Sequence, residues 1–227
     1  MSAALPAIKP ILSPDAAAEL IPDGATLLVG GFMGVGAPHR VLRALARAGR
    51  RALTIISNDA TRPGQGVGLL TEAGAVARLI TSHIGLNPRV QQAMLAGELE
   101  VGLVPQGTLI ERIRAGGFGL GGVLTPTGLG TAAAEGQRTI DIDGRTWLLA
   151  LPLKADFALV AAEQADYAGN LQYQLTATNF NPIIAMAATT VIAQPREILP
   201  VGSLPPDTVK TPGVLVNYLI AREETAP

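Results

Sequence analysis

Gln106 is the clearest catalytic candidate in this sequence; it stands between Pro105 and Gly107, directly behind a short apolar run. A side-chain amide at the end of a buried strand can donate a hydrogen bond to an oxygen on which negative charge develops, and it does so without changing its own protonation state. A helix-capping role fits the same spacing equally well. Gln106 is therefore a candidate oxyanion donor with one structural alternative.

A second candidate is a glycine-rich segment, residues 30–36, called the glycine loop below. Bare backbone of this kind lets amide N–H groups approach an anion closely. A P-loop needs Lys and then Ser or Thr where this chain has Ala37 and Pro38, and a dinucleotide fingerprint needs a small residue where it has His39. The loop therefore matches neither common phosphate-binding type. Its members are Gly30, Gly31, Phe32, Met33, Gly34, Val35 and Gly36.

No evident nucleophile accompanies these groups. The sequence has no cysteine and only two histidines, which argues against thiolate chemistry, disulfides and a zinc site. It also contains no serine nucleophile elbow, no HExxH motif and no plausible carboxylate pair. The residues alone thus supply a cradle and a hydrogen-bond donor, but no attacking group and no metal site.

The composition narrows the class of protein. The net charge is −1 and no run of Lys or Arg exceeds two residues, which argues against nucleic acid or a membrane as the main partner. The mean hydropathy is high, at +0.34. The long uncharged stretches are nevertheless rich in glycine or in amide and hydroxyl side chains, so they do not suit a spanning helix. The N-terminus shows no signal-peptide pattern, and we expect a cytoplasmic protein.

Strand-like apolar runs alternate with helical stretches through the first half of the chain, which is typical of a doubly wound parallel sheet. Helix start signals are Ser13 before Pro14 and Asn87 before Pro88, and Gly49 and Gly97 are stop signals. Strands are expected at residues 25–32, 52–57, 75–84 and 99–104, and helices from residue 14 and at residues 38–49, 87–97 and 107–117.

The second half predicts a β-hairpin around Asp143 and Gly144, a buried strand at 156–162, an alternating strand at 170–175 and a helix from residue 181 that leads into a strand. The proline-rich end is expected to be mostly loops. We predict one α/β domain over residues 1–227: an open, mostly parallel, Rossmann-like sheet flanked by helices, with a β-hairpin insertion.

Glycine and polar residues follow four of the predicted strands. Because ligands bind beyond the carboxyl ends of strands in open parallel sheets, these segments are expected to lie together at one edge. They are the glycine loop and residues 57–59, 105–108 and 125–128.

Several blocks in order resemble the α subunits of the family I 3-oxoacid CoA-transferases, in particular those of the acetate/acetoacetate type. The similarity extends from about Pro14 to Ile220. The blocks are residues 21–38 with the glycine loop, 95–131 around Gln106, 180–188 and 211–220.

The resemblance implies a subunit of an enzyme that moves CoA between a short-chain acyl-CoA, of the acetoacetyl-CoA, acetyl-CoA or succinyl-CoA class, and a carboxylic or 3-oxo acid. Family members react by a ping-pong route through a glutamyl-CoA thioester. Their glutamate lies on a β subunit, in a Ser-Glu-Asn-Gly context that this sequence lacks, so the missing nucleophile is explained. The resemblance further implies a β-subunit partner in an α2β2 hetero-oligomer, with coenzyme A as a substrate and no bound cofactor.

By position, the resemblance assigns Gln106 as the oxyanion donor, the glycine loop to CoA, and Asn58 to the border of the acyl pocket. Asp59 stands where some relatives have Asn. Two other functions remain open. One is a phosphometabolite-binding module of the same fold, which should show a cradle rich in Lys or Arg. The other is a thioester hydrolase of the same family, in which water replaces the acceptor acid.

Overall fold

A parallel sheet forms the centre of the protein in a computed structural model, which describes residues 8–221. The strands, in chain order, are β1 (Ile11–Leu12), β2 (Thr26–Val29), β3 (Leu53–Asp59), β4 (Val76–His83), β5 (Glu100–Leu103), β6 (Val123–Thr125), β7 (Arg138–Ile142), β8 (Arg145–Ala150), β9 (Ala155–Asp166), β10 (Leu171–Gln172), β11 (Ala188–Leu199) and β12 (Tyr218–Ile220).

The large sheet has the order β1-β12-β11-β9-β2-β3-β4-β5, with β10 antiparallel beside β9. Every neighbouring pair along that order is parallel, so the predicted open, mostly parallel sheet is confirmed. The chain builds β2 to β5 towards one edge and later returns to place β9, β11 and β12 on the other side of β2. The strand order therefore reverses between β2 and β9, which is where open α/β sheets form their ligand crevices.

Helices cover both faces of this sheet. They are α1 (Pro14–Glu19), α2 (His39–Arg47), α3 (Gly66–Glu72), α4 (Pro88–Leu95), α5 (Gln106–Gly117) and α6 (Asn181–Ile184). Because strand residues alternate between faces, Leu27 joins the core beneath α1 to α4, whereas Leu28 joins the core beneath α5 and α6. The predicted arrangement of helices on either side of a buried sheet is confirmed.

The predicted helix boundaries have the expected capping geometry. The Ser13 hydroxyl accepts a hydrogen bond from the Ala16 N–H at 3.1 Å, and the Asn87 side chain accepts one from the Val90 N–H at 3.3 Å. At the other ends, Gly49 and Gly97 have φ of 67° and 73°, the left-handed conformation that glycine adopts at low cost just past a helix.

The predicted hairpin is confirmed and belongs to a larger unit. Asp143 and Gly144 connect β7 to β8 with φ of 51° and 73°, as a type I′ turn requires. β6 pairs antiparallel with the other side of β8, which makes a separate small sheet of order β6-β8-β7. The expectation that residues 125–128 lie at the edge of the large sheet is therefore wrong, since β6 ends in the small sheet.

α3 was missed because its sequence carries two glycines, which lower helix propensity. Both are required by close packing. A side chain on Gly66 would overlap Thr61, with its Cβ 2.7 Å from a methyl carbon, and one on Gly68 would overlap the carbonyl of Arg62. Tertiary contacts therefore override local preference here.

The last third contains more strand than predicted. The helix at residue 181 is a single turn, and β11 runs through Pro195 into the region expected to be loops. The alternating segment contributes only the short β10. Proline is tolerated within β11 because β12 pairs only with Ile192 and Ala193, so the strand has an open edge beyond them.

One buried amide ties α6 to the rest of the fold. Asn181 has no exposed surface. Its Oδ1 accepts from the Ala161 N–H at 3.0 Å, and its Nδ2 donates to the carbonyls of Gly36 and Ala177, both at 2.9 Å. A single side chain thus joins β9, the glycine loop and the segment before α6.

Replacing Asn181 with Ala is expected to lower the free energy of unfolding by about 2–4 kcal/mol, because it leaves buried backbone groups without partners. Urea denaturation of the two proteins measures the difference. Asn179→Ala, at an exposed position two residues earlier, is the matched control and should be nearly neutral. Equal stabilities for the two variants would contradict this role of Asn181.

Candidate active site

Gln106 is the first residue of α5 and lies beyond the carboxyl end of β5. Its Nε2 donates a hydrogen bond to Oδ1 of Asn58 at 2.6 Å. The N-cap of α5 is Pro105, and no side-chain hydrogen bond caps this helix. The side chain of Gln106 is therefore directed to the end of β3 and does not cap the helix.

Asn58 is the partner that positions this glutamine, and it is 3% exposed near the end of β3. Its Nδ2 donates to Oδ2 of Asp59 at 2.7 Å, while its backbone carbonyl accepts from the Ser82 hydroxyl of β4 at 2.6 Å. Asp59 therefore fixes the side-chain amide of Asn58, while the adjacent strand β4 fixes its backbone.

The carboxylate of Asp59 is the centre of the network. The residue is 4% exposed. Besides the Asn58 amide, Oδ2 accepts from the Met33 N–H at 2.7 Å, and Oδ1 accepts from the Thr61 N–H at 2.8 Å. Three N–H groups therefore satisfy a buried carboxylate that has no cation beside it in this network, as burial of such a group demands.

The carboxylate also fixes the direction of both amides. An ionised carboxylate only accepts hydrogen bonds, so Asn58 must turn its Nδ2 towards Asp59 and its oxygen towards Gln106. Gln106 must then present Nε2 to that oxygen, which leaves the second N–H of Nε2 for another acceptor. The arrangement is a preorganised donor of the kind that stabilises an oxyanion.

The glycine loop folds as a tight turn. Phe32 and Val35 exchange backbone hydrogen bonds of 2.9 and 3.0 Å, and Met33 and Gly34 have φ of 50° and 86°, the pattern of a type I′ turn. A methionine rarely adopts a positive φ, and the bond from its N–H to Asp59 holds it there. Its side chain, 44% exposed, lies at the tip of the loop.

Contacts within the chain explain the glycines of this loop. A side chain on Gly30 would overlap the Asn181 amide, and one on Gly36 would place Cβ 2.5 Å from Cβ of Ala177. Gly31 has φ of 121°.

The assignment of the loop to CoA stays a prediction. Within residues 8–221, the N–H groups of Gly31, Gly34 and Gly36 make no backbone hydrogen bond outside the regular elements.

The structure joins all three predicted parts of the site, since Gln106, Asn58 and the glycine loop form one hydrogen-bonded chain. The residue that connects them, Asp59, was noted in the sequence but not recognised as the link. An ionisable residue at the end of an apolar strand is the signal that could have identified it. Asn181, which fits against Gly30, gave no comparable signal.

The hydroxyl groups of this network are not activated nucleophiles. Ser57 donates to the carbonyl of Asp59, Ser82 to that of Asn58, and Thr61 to that of Ala60. None of the three donates to a histidine or a carboxylate that could act as its base. Among the described residues, the site therefore offers hydrogen-bond donors and a defined shape, but no group that could react covalently.

No helix within residues 8–221 has the length and apolar character needed to span a bilayer.

Comparison with known proteins identifies the family. A sequence profile described as Coenzyme A transferase matches residues 12–222, and the chain belongs to this family. It is 51% identical over 203 residues to the acetate CoA-transferase subunit alpha of Escherichia coli K12, covering 89% of this chain and 92% of that one. It is 48% identical to the acetoacetyl-CoA:acetate/butyrate CoA transferase alpha subunit of Clostridium acetobutylicum, covering 87% and 91%. The resemblance to α subunits of this family is confirmed.

Solved structures share the fold. An acyl-CoA transferase from E. coli O157:H7, crystallised as a thioester complex with CoA, superposes with a TM-score of 0.86 at 24% identity. The match covers 96% of this chain and 48% of that one, so the chain spans about half the length of that protein. A variant of the decarboxylase AibA/AibB superposes with a TM-score of 0.79 at 29% identity, covering 93% and 82%. The fold therefore serves more than one reaction, so the residues of the site, and not the fold, indicate the function.

Gly34 and Gly36, two of the three glycines with positive φ in this loop, should respond differently to alanine. Gly34→Ala meets only Oε1 of Gln65, at 3.5 Å, so we expect a loss of about 1–2 kcal/mol from backbone strain alone. Gly36→Ala adds the overlap with Ala177 and should lose roughly 1–3 kcal/mol more. Thermal melts of both variants test this order, and a less stable Gly34 variant would contradict the described loop geometry.

Proposed function

We propose that this chain is the α subunit of a CoA-transferase that exchanges CoA between a short-chain acyl-CoA and a carboxylic or 3-oxo acid, with the reactive glutamate on a β subunit. The acyl-CoA is of the acetoacetyl-CoA, acetyl-CoA or succinyl-CoA class. The observation that carries the proposal is the directed Gln106–Asn58–Asp59 chain without a nucleophile, in a protein 51% identical to an acetate CoA-transferase α subunit.

In the proposed reaction, the partner's glutamate carboxylate attacks the thioester carbonyl, the C–S bond breaks, and CoA leaves as the thiolate. The thiolate then attacks the glutamyl carbonyl of the mixed anhydride, which releases the first acid and leaves a glutamyl-CoA thioester. An acceptor carboxylate repeats the two steps in reverse and departs with CoA. This is covalent, ping-pong catalysis in which the chain described here supplies no attacking atom.

Gln106 donates its free N–H to the oxygen of the thioester carbonyl as negative charge develops there. The interaction favours the transition state over the ground state because a neutral carbonyl oxygen gains less from the same donor. Asn58 and Asp59 hold the amide in its donating direction before substrate arrives, so no reorganisation is needed during the reaction.

The glycine loop borders the same edge of the sheet and would contact CoA through the N–H groups of Gly31, Gly34 and Gly36, which make no backbone hydrogen bond outside the regular elements of residues 8–221. Met33 and Val35, both exposed at the turn, supply apolar surface that a partner subunit or the pantetheine arm would cover. The remaining predicted features, namely an α2β2 assembly, a cytoplasmic location and the absence of a bound cofactor, belong to this proposal as well.

The alternative of a phosphometabolite-binding module is less well supported. The cation nearest the loop in sequence is Arg40, and its guanidinium donates to the backbone carbonyls of Ala221 and Pro195 at 2.7 and 3.0 Å. It thus serves the fold. The hydrolase alternative shares every residue of the proposed site, so only an assay in which water competes with an acceptor acid separates the two.

The chain is expected to be inactive alone and to gain activity when it is combined with its β subunit, since the attacking carboxylate is supplied there. The assay follows acetoacetyl-CoA consumption with acetate present or omitted. Turnover that requires acetate supports transfer, whereas turnover at the same rate without it would identify a hydrolase. Normal transfer by the purified chain alone would contradict the proposal that the attacking glutamate lies on the β subunit.

Gln106→Ala in the reconstituted enzyme is expected to lower kcat by roughly 10²–10³, the usual cost of losing one oxyanion donor. KM should change much less, because the ground-state carbonyl gains little from the bond. Steady-state kinetics measure both constants. Gln92→Ala, at an exposed position on α4, is the control and should leave them unchanged.

Gln106→Glu should be at least as damaging as the alanine change, because it places a like charge where the oxyanion forms. Melting curves on the same preparations exclude unfolding as the cause. An unchanged kcat in Gln106→Ala would show that this residue does not take part in the chemical step. The chain would then contribute to substrate binding only.

A further inference from the structure

A cavity of about 400 Å³ lies at the opposite end of the strands from Gln106. It is bordered by α3, α4, the start of β4 and the turn before β5, and is called the α3–α4 cavity below. Cavities of this size hold small organic molecules. β4 runs from Val76, beside the cavity, to His83, at the edge that carries Gln106. Its eight residues separate the two places by roughly 20 Å, so the cavity is not part of the candidate active site.

Side chains of both signs line the α3–α4 cavity. Glu72, at the end of α3, is 24% exposed, and its Oε1 lies 3.6 Å from Nη1 of Arg89, which is longer than a hydrogen bond. This is the only ion pair of Arg89 among the described residues, and Glu98 belongs to none of them. The Arg89 guanidinium and the Glu98 carboxylate are both exposed, so both groups are available to a ligand.

The base of the cavity is aliphatic. Val90 and Leu99 are buried and belong to the core beneath α1 to α4, and the half-buried Val76 and Ala93 pack against the same core. No aromatic side chain is among the described residues that line the cavity, so it offers no ring for stacking. The exposed charges lie at the mouth and the buried aliphatic groups at the base. A matching ligand therefore carries its charges at one end and an aliphatic group at the other.

The charges at the mouth distinguish between classes of small ligand. Two glutamates would repel a simple carboxylate, and the arginine would repel a simple amine. A zwitterion satisfies both signs, because its carboxylate accepts hydrogen bonds from a guanidinium and its ammonium group donates to a carboxylate. In an ω-amino acid the two charges stand at opposite ends of the molecule. In an α-amino acid both are attached to one carbon, and the side chain projects away from them.

We propose that the α3–α4 cavity binds an aliphatic α-amino acid of about the size of valine or leucine. Its carboxylate accepts from Arg89, its ammonium group donates to Glu98 and Glu72, and its side chain packs against Val90 and Leu99. The site uses no residue of the candidate active site. It would therefore bind its ligand whether or not the chain is a transferase subunit.

Glu72 also provides a local signal of binding. Its Oε1 accepts a hydrogen bond from the Gly64 N–H at 3.2 Å. Gly64 belongs to the loop between β3 and α3, and an ammonium group beside Glu72 changes the electrostatic surroundings of that N–H. The Gly64 amide is therefore expected to respond together with the residues of the cavity.

Amide chemical shifts of the full ¹⁵N-labelled chain, titrated with L-leucine at constant pH and ionic strength, test the proposal. Saturable shifts are expected at Gly64, Val76, Val90 and Leu99. Glycine should bind more weakly than leucine, because it has no aliphatic group to cover the base of the cavity.

Three analogues of leucine test the recognition of charge. 3-Methylbutylamine lacks the carboxylate, 4-methylpentanoate lacks the ammonium group, and 5-aminopentanoate carries the two charges at opposite ends. Each should shift the residues of the cavity with an affinity at least severalfold lower than that of leucine, because each leaves one charge at the mouth without a partner.

Arg89→Gln should weaken leucine binding by roughly tenfold, as expected for loss of a charge-assisted hydrogen bond. Glu98→Gln should weaken it severalfold. Both positions are exposed, so the variants should fold as the unmodified chain does. Arg47→Gln, which removes an exposed arginine paired with Asp15, is the control and should bind leucine normally.

Three results would overturn the proposal. The first is an absence of saturable shifts at Val90 and Leu99, including a set of shifts confined to the glycine loop and Gln106. The second is leucine binding that either Arg89→Gln or Glu98→Gln leaves unchanged. The third is binding of the amine, the carboxylate or the ω-amino acid as tight as that of leucine, since the cavity would then not recognise the α-amino acid group.

Discussion

The buried carboxylate of Asp59 is the interaction on which the candidate site depends. It can only accept hydrogen bonds, and the three it accepts come from the Met33 N–H, the Thr61 N–H and the Asn58 amide. Because acceptance by one group forces donation by the next, its charge sets the direction of Asn58 and, through it, of Gln106. Without that acceptor, either amide could rotate and present oxygen instead of nitrogen to the substrate side.

The parallel sheet brings this carboxylate to its partners. β2, β3, β4 and β5 are adjacent and parallel, so the residues at their carboxyl ends meet although they are far apart in the chain. The strand order reverses beside β2, which leaves the glycine loop at the crevice. Asn181, whose side chain also bonds to β9, holds the glycine loop in place by donating a hydrogen bond to the carbonyl of Gly36. The glycine loop and the side-chain amide of Gln106 therefore lie at the same edge of the large sheet.

α5 serves two surfaces at once. Its first residue, Gln106, belongs to the edge of the large sheet, and its buried Leu109 and Ile113 pack against that sheet. Thr108 and Arg112 face the small sheet instead. The small sheet, which begins as the predicted hairpin, thereby gives the helix a second polar environment.

The sequence by itself determined the layered fold and identified the main residues of the candidate site. Apolar periodicity, the caps at Ser13 and Asn87 and the Asp143–Gly144 turn are local signals, and local signals specify elements directly. The blocks around residues 30–36 and Gln106 identified the family. The sequence did not reveal α3, whose glycines are explained only by contact with Thr61 and Arg62, or the length of β11, whose Pro195 is acceptable only at an open edge. The tertiary structure alone decided that Asp59 connects Gln106 to the glycine loop and that Asn181 fits against Gly30. Each of these depends on groups that are distant in the chain and are brought together by parallel pairing and packing.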